Sequence, residues 1–312
     1  MCLILLCGCS EQITDNDVTN EVTSISLPDT PVAASSGTPG KGTRDNTPHV
    51  LNPAAGGKTV YNCSVASIDA TNITEGYVVV SYSGSSPKVK LQITGSDNVT
   101  YTYNLSRGSD VFPLSAGSGS YTIAVYENVS GNQYATAMSQ SVNAAISNTF
   151  GPFLYPNQYV KFDAGSNAVA LAESLAQSAN TDLDVVSNVY NYIITNIAYD
   201  HDQASSVKSG YVPNVDQVLT RKQGICLDYA ALMTAMLRSQ QIPTRLEVGY
   251  AGNAYHAWIS TYIQDVGWVN GIIQFDGNNW ELMDPTFAAN SSEKALKKFI
   301  GDGNNYIVKY IY

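Results

Sequence analysis

Near residue 165 the hydrophobic residues of this chain change from strand-like to helical spacing, and that change limits the folds open to the chain. Between residues 59 and 147, short runs such as 89–93 and 99–105 alternate apolar and polar residues and are separated by turn clusters. Alternation of this kind is typical of half-buried strands. Successive predicted strands follow one another about every ten to twelve residues, which predicts a small β-sandwich. We interpret residues 59–147 as an all-β, immunoglobulin-like sandwich, although the cysteine–tryptophan–cysteine core signature is missing from the sequence.

From Gly165 onward the apolar residues recur at helical spacing, and strand-like runs follow later. This mixture predicts an α+β domain over residues 165–312, preceded by a linker over residues 148–164. Thr181 and Asp184 have the spacing of a capping box at the start of one helix. The predicted elements are helices at 167–179, 185–197, 215–219, 227–241 and 291–298, a loop at 199–214, and strands at 245–250, 255–262, 280–286 and 306–312.

The segment Leu6-Cys7-Gly8-Cys9 resembles a bacterial lipobox, in which cleavage precedes a lipid-modified cysteine. The resemblance implies a signal peptide over residues 1–8, truncated at its basic start, and a lipid on Cys9. Residues 9–58 are rich in Thr, Ser, Asn, Asp, Gly and Pro without a sustained apolar period, which predicts a flexible tether. We therefore expect an extracytoplasmic protein, anchored in the membrane by its N-terminal lipid at a bacterial cell surface or envelope.

The charge and the cysteines exclude further classes of function. The net charge is −10 with only 16 Lys and Arg residues, which disfavours a nucleic-acid partner because phosphates need a basic surface. Cys2 and Cys7 belong to the predicted signal peptide, and Cys9 is assigned to the lipid. Cys63 and Cys226 remain and fall in separate modules, so we expect two free thiols. No Cys/His cluster has zinc-ligand spacing, and residues 199–202 (Tyr-Asp-His-Asp) have no second ligand cluster. We expect no metal and no cofactor.

One set of residues has the pattern of a thiol catalyst. Cys226 directly precedes the helix predicted over residues 227–241, where the helix dipole and unpaired amides lower the pKa of a thiol. His256 begins one predicted strand and Asp284 lies at the end of another. A cysteine on a helix that faces a histidine and an aspartate on neighbouring strands supplies a nucleophile, a base and an orienting carboxylate. The alternatives are a buried core cysteine and, for Asp228, a residue that only complements the helix dipole.

This stretch resembles the transglutaminase-like superfamily, which is related to papain. The resemblance covers about residues 165–290 and rests on three motifs: Gly-Ile-Cys226-Leu-Asp-Tyr-Ala, His256-Ala-Trp and Trp-Glu-Leu-Met-Asp284-Pro-Thr. It implies an α+β papain/transglutaminase-like fold, with Cys226 as nucleophile, His256 as base and Asp284 as its orienter. The family's calcium-binding insertions have no counterpart here, and the link between the second and third motifs is long. The Cys226 N–H is the better oxyanion donor; Gln223 is a second candidate, with a solvent-facing turn residue as its alternative.

These features predict a surface-anchored, cysteine-dependent enzyme that acts on amide bonds of proteins or peptides, cell-wall peptides among them, through a thioester acyl-enzyme. Water as the acceptor gives a peptidase or amidase, which we favour slightly. A lysine-type amine gives transglutaminase-type cross-linking, and the sequence leaves both open. The alternative is a non-catalytic surface protein whose inactive domain and sandwich bind a partner. For the sandwich itself we expect a spacer or an interaction module.

Overall fold

The computed structural model describes residues 40–251, 254–264, 266–270, 274–275, 280–281 and 306–312. Its β-rich half contains two antiparallel four-stranded sheets, which we call sheet I (order β1-β2-β3-β6) and sheet II (order β5-β4-β7-β8). Their strands are β1 Val60–Asn62, β2 Ala66–Asp69, β3 Tyr77–Tyr82, β4 Val89–Thr94, β5 Thr100–Leu105, β6 Gly108–Pro113, β7 Gly119–Ser130 and β8 Gln133–Ala144.

Alternating side chains build the core of this half. Along β4, buried and half-buried residues alternate, as the sequence predicts. Apolar residues of both sheets, among them Ile68, Val80, Leu91 and Ile123, belong to one buried cluster. The chain changes sheets after β3, β5 and β6, which is typical of Greek-key arrangements. The β-rich region is therefore present where it was predicted, whereas its immunoglobulin-like assignment stays a prediction.

The second half combines helices with a third sheet. Sheet III is antiparallel with the order β13-β12-β11-β16. No helix in the described part of the chain is long and apolar enough to cross a membrane. The elements are α1 Asn167–Ala176, α2 Asp182–Asn196, β9 Ala198–Tyr199, α3 His201–Ser206, α4 Val215–Arg221, β10 Gln223–Gly224, α5 Cys226–Ser239, β11 Thr244–Ala251, β12 Ala254–Ile263, β13 Gly267–Asn270, β14 Gln274–Phe275, β15 Trp280–Glu281 and β16 Tyr306–Ile311.

Helix α5 is the central element of this half, in contact with α1, α2, α4, β11 and β12. Of its 14 residues, 12 are buried, as expected for a helix that is apolar on nearly every side. At its C-terminal end the buried Arg238 donates to the carbonyls of Tyr155, Thr244 and Tyr312. These bonds join the helix to the preceding linker and to the end of the chain. The C-terminal end of α5 is thus bonded to two segments that lie outside the helix.

The segment over residues 40–58 differs from the predicted flexible tether. Arg44 forms an ion pair with Asp182 at 2.7 Å, and the His49 N–H donates to the Ser239 carbonyl at 2.8 Å. Polar groups of this segment instead bond to the ends of helices α2 and α5, where helix groups lack partners within the helix. The tether prediction is therefore wrong for residues 40–58, and residues 9–39 lie outside the described residues.

Two other connecting segments also contain ordered structure. The predicted linker over residues 148–164 packs onto the second half, with the Phe153 ring edge-on to Trp268 at a centroid distance of 5.5 Å. The predicted loop over residues 199–214 contains the short helix α3. Its start is capped by Asp200, whose carboxylate accepts from the N–H of the third helical residue at 2.8 Å. A helix of this length has too little apolar periodicity to be recognised from sequence.

Candidate active site

Cys226 and His256 line one cavity, which lies between sheet II and the helical half. Sheet II contributes Lys90, Thr102 and Asn104 to its walls. The preceding β-rich half is therefore part of the cavity wall. Its predicted role as a spacer or an interaction module stays a prediction. The remaining lining residues are Tyr159, Tyr199, Ala204, Val207, Ser209, Gly210, Tyr211, Ile225, Leu227, Val248, Tyr255, Ala257, Tyr310 and Tyr312.

Cys226 is the first residue of α5, as the sequence predicts. Its thiol is in no disulfide and is half-buried, whereas the Cys63 thiol is exposed. The preceding Ile225 is extended, with φ −95° and ψ 175°, so the chain turns sharply into the helix at the cysteine. The Cys226 N–H belongs to the first turn of the helix, whose amides have no partner within the helix. The thiol therefore lies where a negative charge on sulfur, or on a carbonyl oxygen bonded beside it, is stabilised.

Asp228 fixes this turn from behind. Its side chain is fully buried and accepts from the Ile225 N–H at 3.0 Å, the Tyr211 hydroxyl at 2.6 Å and the Gln203 amide at 3.2 Å. Burial raises the pKa of Asp228, and the three donors act in the opposite direction. Asp228 thus does more than complement the helix dipole: it joins α3, the following loop and the start of α5.

Gly224 is required for this arrangement. A Cβ at this position would lie 2.8 Å from the Asp228 Cβ and 3.1 Å from one of its carboxylate oxygens. Any side chain here would push the carboxylate away from the Ile225 N–H, so glycine at this position preserves the hydrogen bond at the start of α5. The sequence offered one signal for this role, since Asp228 stands at capping-box spacing from Ile225. The contributions of Gln203 and Tyr211 had no signal in the sequence.

His256 lies on β12, opposite Gly249 of β11. Only 9% of its surface is exposed. Burial lowers the pKa of His256 to about 4, because the apolar surroundings disfavour the imidazolium. The imidazole is therefore neutral near pH 7 and can accept a proton. A Cβ at Gly249 would lie 2.0 Å from the Ile307 carbonyl oxygen. Glycine at this position therefore allows β16 to pair closely with β11, whose other neighbour is the His256 strand β12.

Tyrosine side chains form most of the remaining wall. Six of them line the cavity, contributed by the linker, the residues around α3, β12 and the C-terminal segment. Burial raises the pKa of Tyr255, which adjoins His256, and the Cys226 thiol acts in the same direction. A wall of tyrosines supplies apolar ring faces together with hydroxyl groups, which suits a peptide backbone better than a highly charged ligand.

The other predicted site residues fall elsewhere. Gln223 is exposed on β10 and does not line the cavity, which agrees with the alternative of a solvent-facing residue. Asp284 lies outside the described residues, so its predicted position stays a prediction. Trp258 is a core residue whose indole N–H donates to the buried Glu247 carboxylate at 2.7 Å. His201 stacks edge-on against Tyr199 at the start of α3, and the described residues contain no cluster of three or more metal-ligating His, Cys, Asp or Glu side chains.

Residues 169–271 match the model of the transglutaminase-like superfamily. Cys226 and His256 fall inside the matched range. The UPF0252 protein of Methanocaldococcus jannaschii is 31% identical over 97 residues, which cover 27% of this chain and 27% of that relative's length. The match thus spans well under two thirds of the relative.

Two solved structures are also similar to this chain. A candidate cysteine protease of Cytophaga hutchinsonii is 16% identical with a TM-score of 0.35, over 68% of this chain and 67% of that one. Red sea bream transglutaminase is 14% identical with a TM-score of 0.30, over 72% of this chain and 53% of that one. These overlaps are too loose to align individual residues, so the family assignment rests on the superfamily model.

Proposed function

From the premise that residues 169–271 form a transglutaminase-like domain, we propose that this chain is a cysteine-dependent enzyme acting on amide bonds of proteins or peptides. The observation that carries the proposal is that Cys226, at the start of a buried helix, and the neutral imidazole of His256 line the same cavity. A thiol and a base that share a partly enclosed cavity are the minimum set for covalent acyl transfer.

In the first half-reaction, the His256 imidazole accepts the Cys226 thiol proton while the sulfur attacks the carbonyl carbon of the substrate amide. The carbonyl oxygen takes the electron pair, and the Cys226 N–H at the helix start donates to it. The C–N bond then breaks, the imidazolium gives its proton to the leaving amine, and a thioester remains on Cys226. The sequence resemblance assigns to Asp284 the task of orienting the imidazole and stabilising its cation.

In the second half-reaction, His256 removes a proton from the acceptor, and the acceptor attacks the thioester. Water yields a carboxylic acid and the free thiol, whereas a primary amine yields a new amide and the free thiol. We favour water, because Cys226 is half-buried rather than enclosed, which leaves the thioester open to solvent. The enzyme is then a peptidase or amidase.

Dimethylated casein in the presence of a biotinylated primary amine tests this proposal and separates the two outcomes. Because its own amines are blocked, new primary amines report peptide hydrolysis, and attached biotin reports acyl transfer to the amine. We expect new amines with the parent chain and with Cys63→Ala, and none with Cys226→Ala. If the parent produces neither signal nor ammonia and Cys226 is also unreactive toward alkylating agents, the chain is a binding protein and the proposal fails.

We further propose that the enzyme is anchored at a bacterial envelope by a lipid on Cys9, as the segment Leu6-Cys7-Gly8-Cys9 suggests. Expression of Cys9→Ser in a bacterial host should release the protein from the membrane fraction. Cys7→Ser is the matched control and should remain membrane-bound. Equal partitioning of both variants and the parent would contradict the lipid anchor.

A further inference from the structure

Lys90 is a cation from the β-rich half that lines the same cavity as Cys226 and His256. It lies on β4 in register with Asn104 on β5, and its ammonium donates to the Asn104 side-chain oxygen. Asn104 is itself held in place, because its backbone carbonyl accepts from the Gln158 amide at 2.8 Å. On its other side, a Cβ at Gly210 would lie 1.9 Å from the Asn104 amide nitrogen, so the loop after α3 closes directly over it.

The Lys90 charge has no counter-ion within the described ranges of the chain. The one ion pair among them joins Arg44 to Asp182, and no Asp or Glu of the described part lines the cavity. Burial lowers the pKa of Lys90, which means that its surroundings disfavour the ammonium. A partly desolvated cation without a counter-ion is stabilised when an anion binds beside it.

We propose that Lys90 makes this cavity a binding site for a carboxylate carried by the amide substrate. The inference rests on the proposed function, because it adds a recognition element to the same site. Carboxylates are the anionic groups of peptides, and an ammonium with one donor engaged by Asn104 has two left for such a group. The chain as a whole has a net charge of −10, so a preference for anions here must be local to Lys90.

Binding is measured first, on the Cys226→Ala chain, so that turnover is not required. N-acetyl-Ala-Ala with a free carboxylate is compared with its C-terminal amide, and N-acetyl-Glu-amide is compared with N-acetyl-Gln-amide. The first pair probes a terminal carboxylate and the second probes a side-chain carboxylate. We expect about tenfold tighter binding of the acid in at least one pair, the factor that about 1.4 kcal/mol produces. The pair that shows the difference identifies which carboxylate the site takes.

Substitution then assigns the preference to Lys90. Lys90→Met, added to Cys226→Ala, should abolish the acid-over-amide preference, and Lys90→Arg should keep most of it. Lys88→Met removes an exposed lysine two residues away, outside the cavity lining, and should change nothing. Melting curves identify any variant that fails to fold, and Lys90→Gln then replaces Lys90→Met. Equal binding of acids and amides by the Lys90-containing chain, or an unchanged preference without Lys90, overturns the proposal.

Alkylation of the chain that retains Cys226 provides a second readout. The ratio of the iodoacetate to the iodoacetamide rate at Cys226 should fall several-fold in Lys90→Met, with the iodoacetamide rate itself unchanged. If Cys226 resists both reagents while the carboxylate preference in binding persists, the enzyme proposal fails, and carboxylate binding at Lys90 stands without a substrate role. If Cys226 reacts readily but neither binding nor the rate ratio depends on Lys90, the reverse holds.

Discussion

Replacing His256 with Gln should make the stability of this protein less sensitive to acid. In the folded chain, burial lowers the pKa of His256 to about 4, whereas an exposed histidine in the unfolded chain titrates near 6.5. The unfolded chain therefore binds more protons between these values, and acid favours unfolding. His256 therefore leaves the free energy of unfolding unchanged above about pH 6.5 and lowers it progressively as the pH falls toward 4.

The size of the effect follows from the difference of about 2.5 pKa units, at 1.36 kcal/mol for each unit. Integrated between pH 7 and pH 4, where the folded imidazole is half protonated, the loss is about 3 kcal/mol, with about 2 kcal/mol lost by pH 5. His256→Gln cannot take up this proton. The parent should thus lose about 3 kcal/mol more than the variant over the same range.

Urea unfolding at pH 7, 5 and 4 measures this difference directly. Burial also raises the pKa of the Asp228 and Glu247 carboxyls, so the comparison with the variant is what isolates His256. The exposed His49→Gln serves as the matched control and should follow the parent. Parallel curves of unfolding free energy against pH for the parent and His256→Gln would refute the inference that the imidazole is buried and neutral.

Three further substitutions test the helix start and the predicted orienter. Gly224→Ala places a Cβ 2.8 Å from the Asp228 Cβ and should lower the unfolding free energy by about 1–3 kcal/mol in urea, whereas Gly40→Ala, where a Cβ meets nothing within 4 Å, should not. Asp228→Asn should lower the unfolding free energy by about 2–3 kcal/mol in the same assay, against about 1 kcal/mol for Asp184→Asn, whose less buried carboxylate accepts from two backbone N–H groups at the start of α2. Equal losses would contradict the inference that Asp228 joins three segments. Asp284→Asn should slow single-turnover acylation by about 10- to 1,000-fold without a matching drop in melting temperature, and an unchanged rate in a folded variant would remove Asp284 from the mechanism.

Local patterns in the sequence predicted local structure well. Alternation located the strands of sheet II, and the Thr181–Asp184 spacing predicted a capping box that is present, with bonds of 2.9 and 3.2 Å. Cys226 begins α5 as expected, because an apolar helix that follows a Gly-containing turn has few other places to start. These features depend on residues a few positions apart, so a single sequence contains the information for them.

Contacts between distant segments could not be predicted in the same way. Lys90 lines the cavity because sheet II packs against the helical half. Its position in an alternating strand predicts only that its side chain lies on the face opposite the core. Residues 40–58 have the composition of a linker, yet Arg44 finds Asp182 across 138 positions of sequence. Such a pairing depends on the folded arrangement of both segments, which composition does not encode.

Competitive alkylation of the two cysteines tests most directly whether Cys226 is an activated nucleophile. Accessibility alone favours Cys63, which is exposed, over the half-buried Cys226. With limiting iodoacetamide at pH 6 and site-resolved mass spectrometry, an activated Cys226 should be labelled about tenfold faster than Cys63. His256→Gln should remove that advantage. Labelling of Cys63 at an equal or higher rate in the parent, with no change in His256→Gln, would contradict a Cys226–His256 catalytic pair.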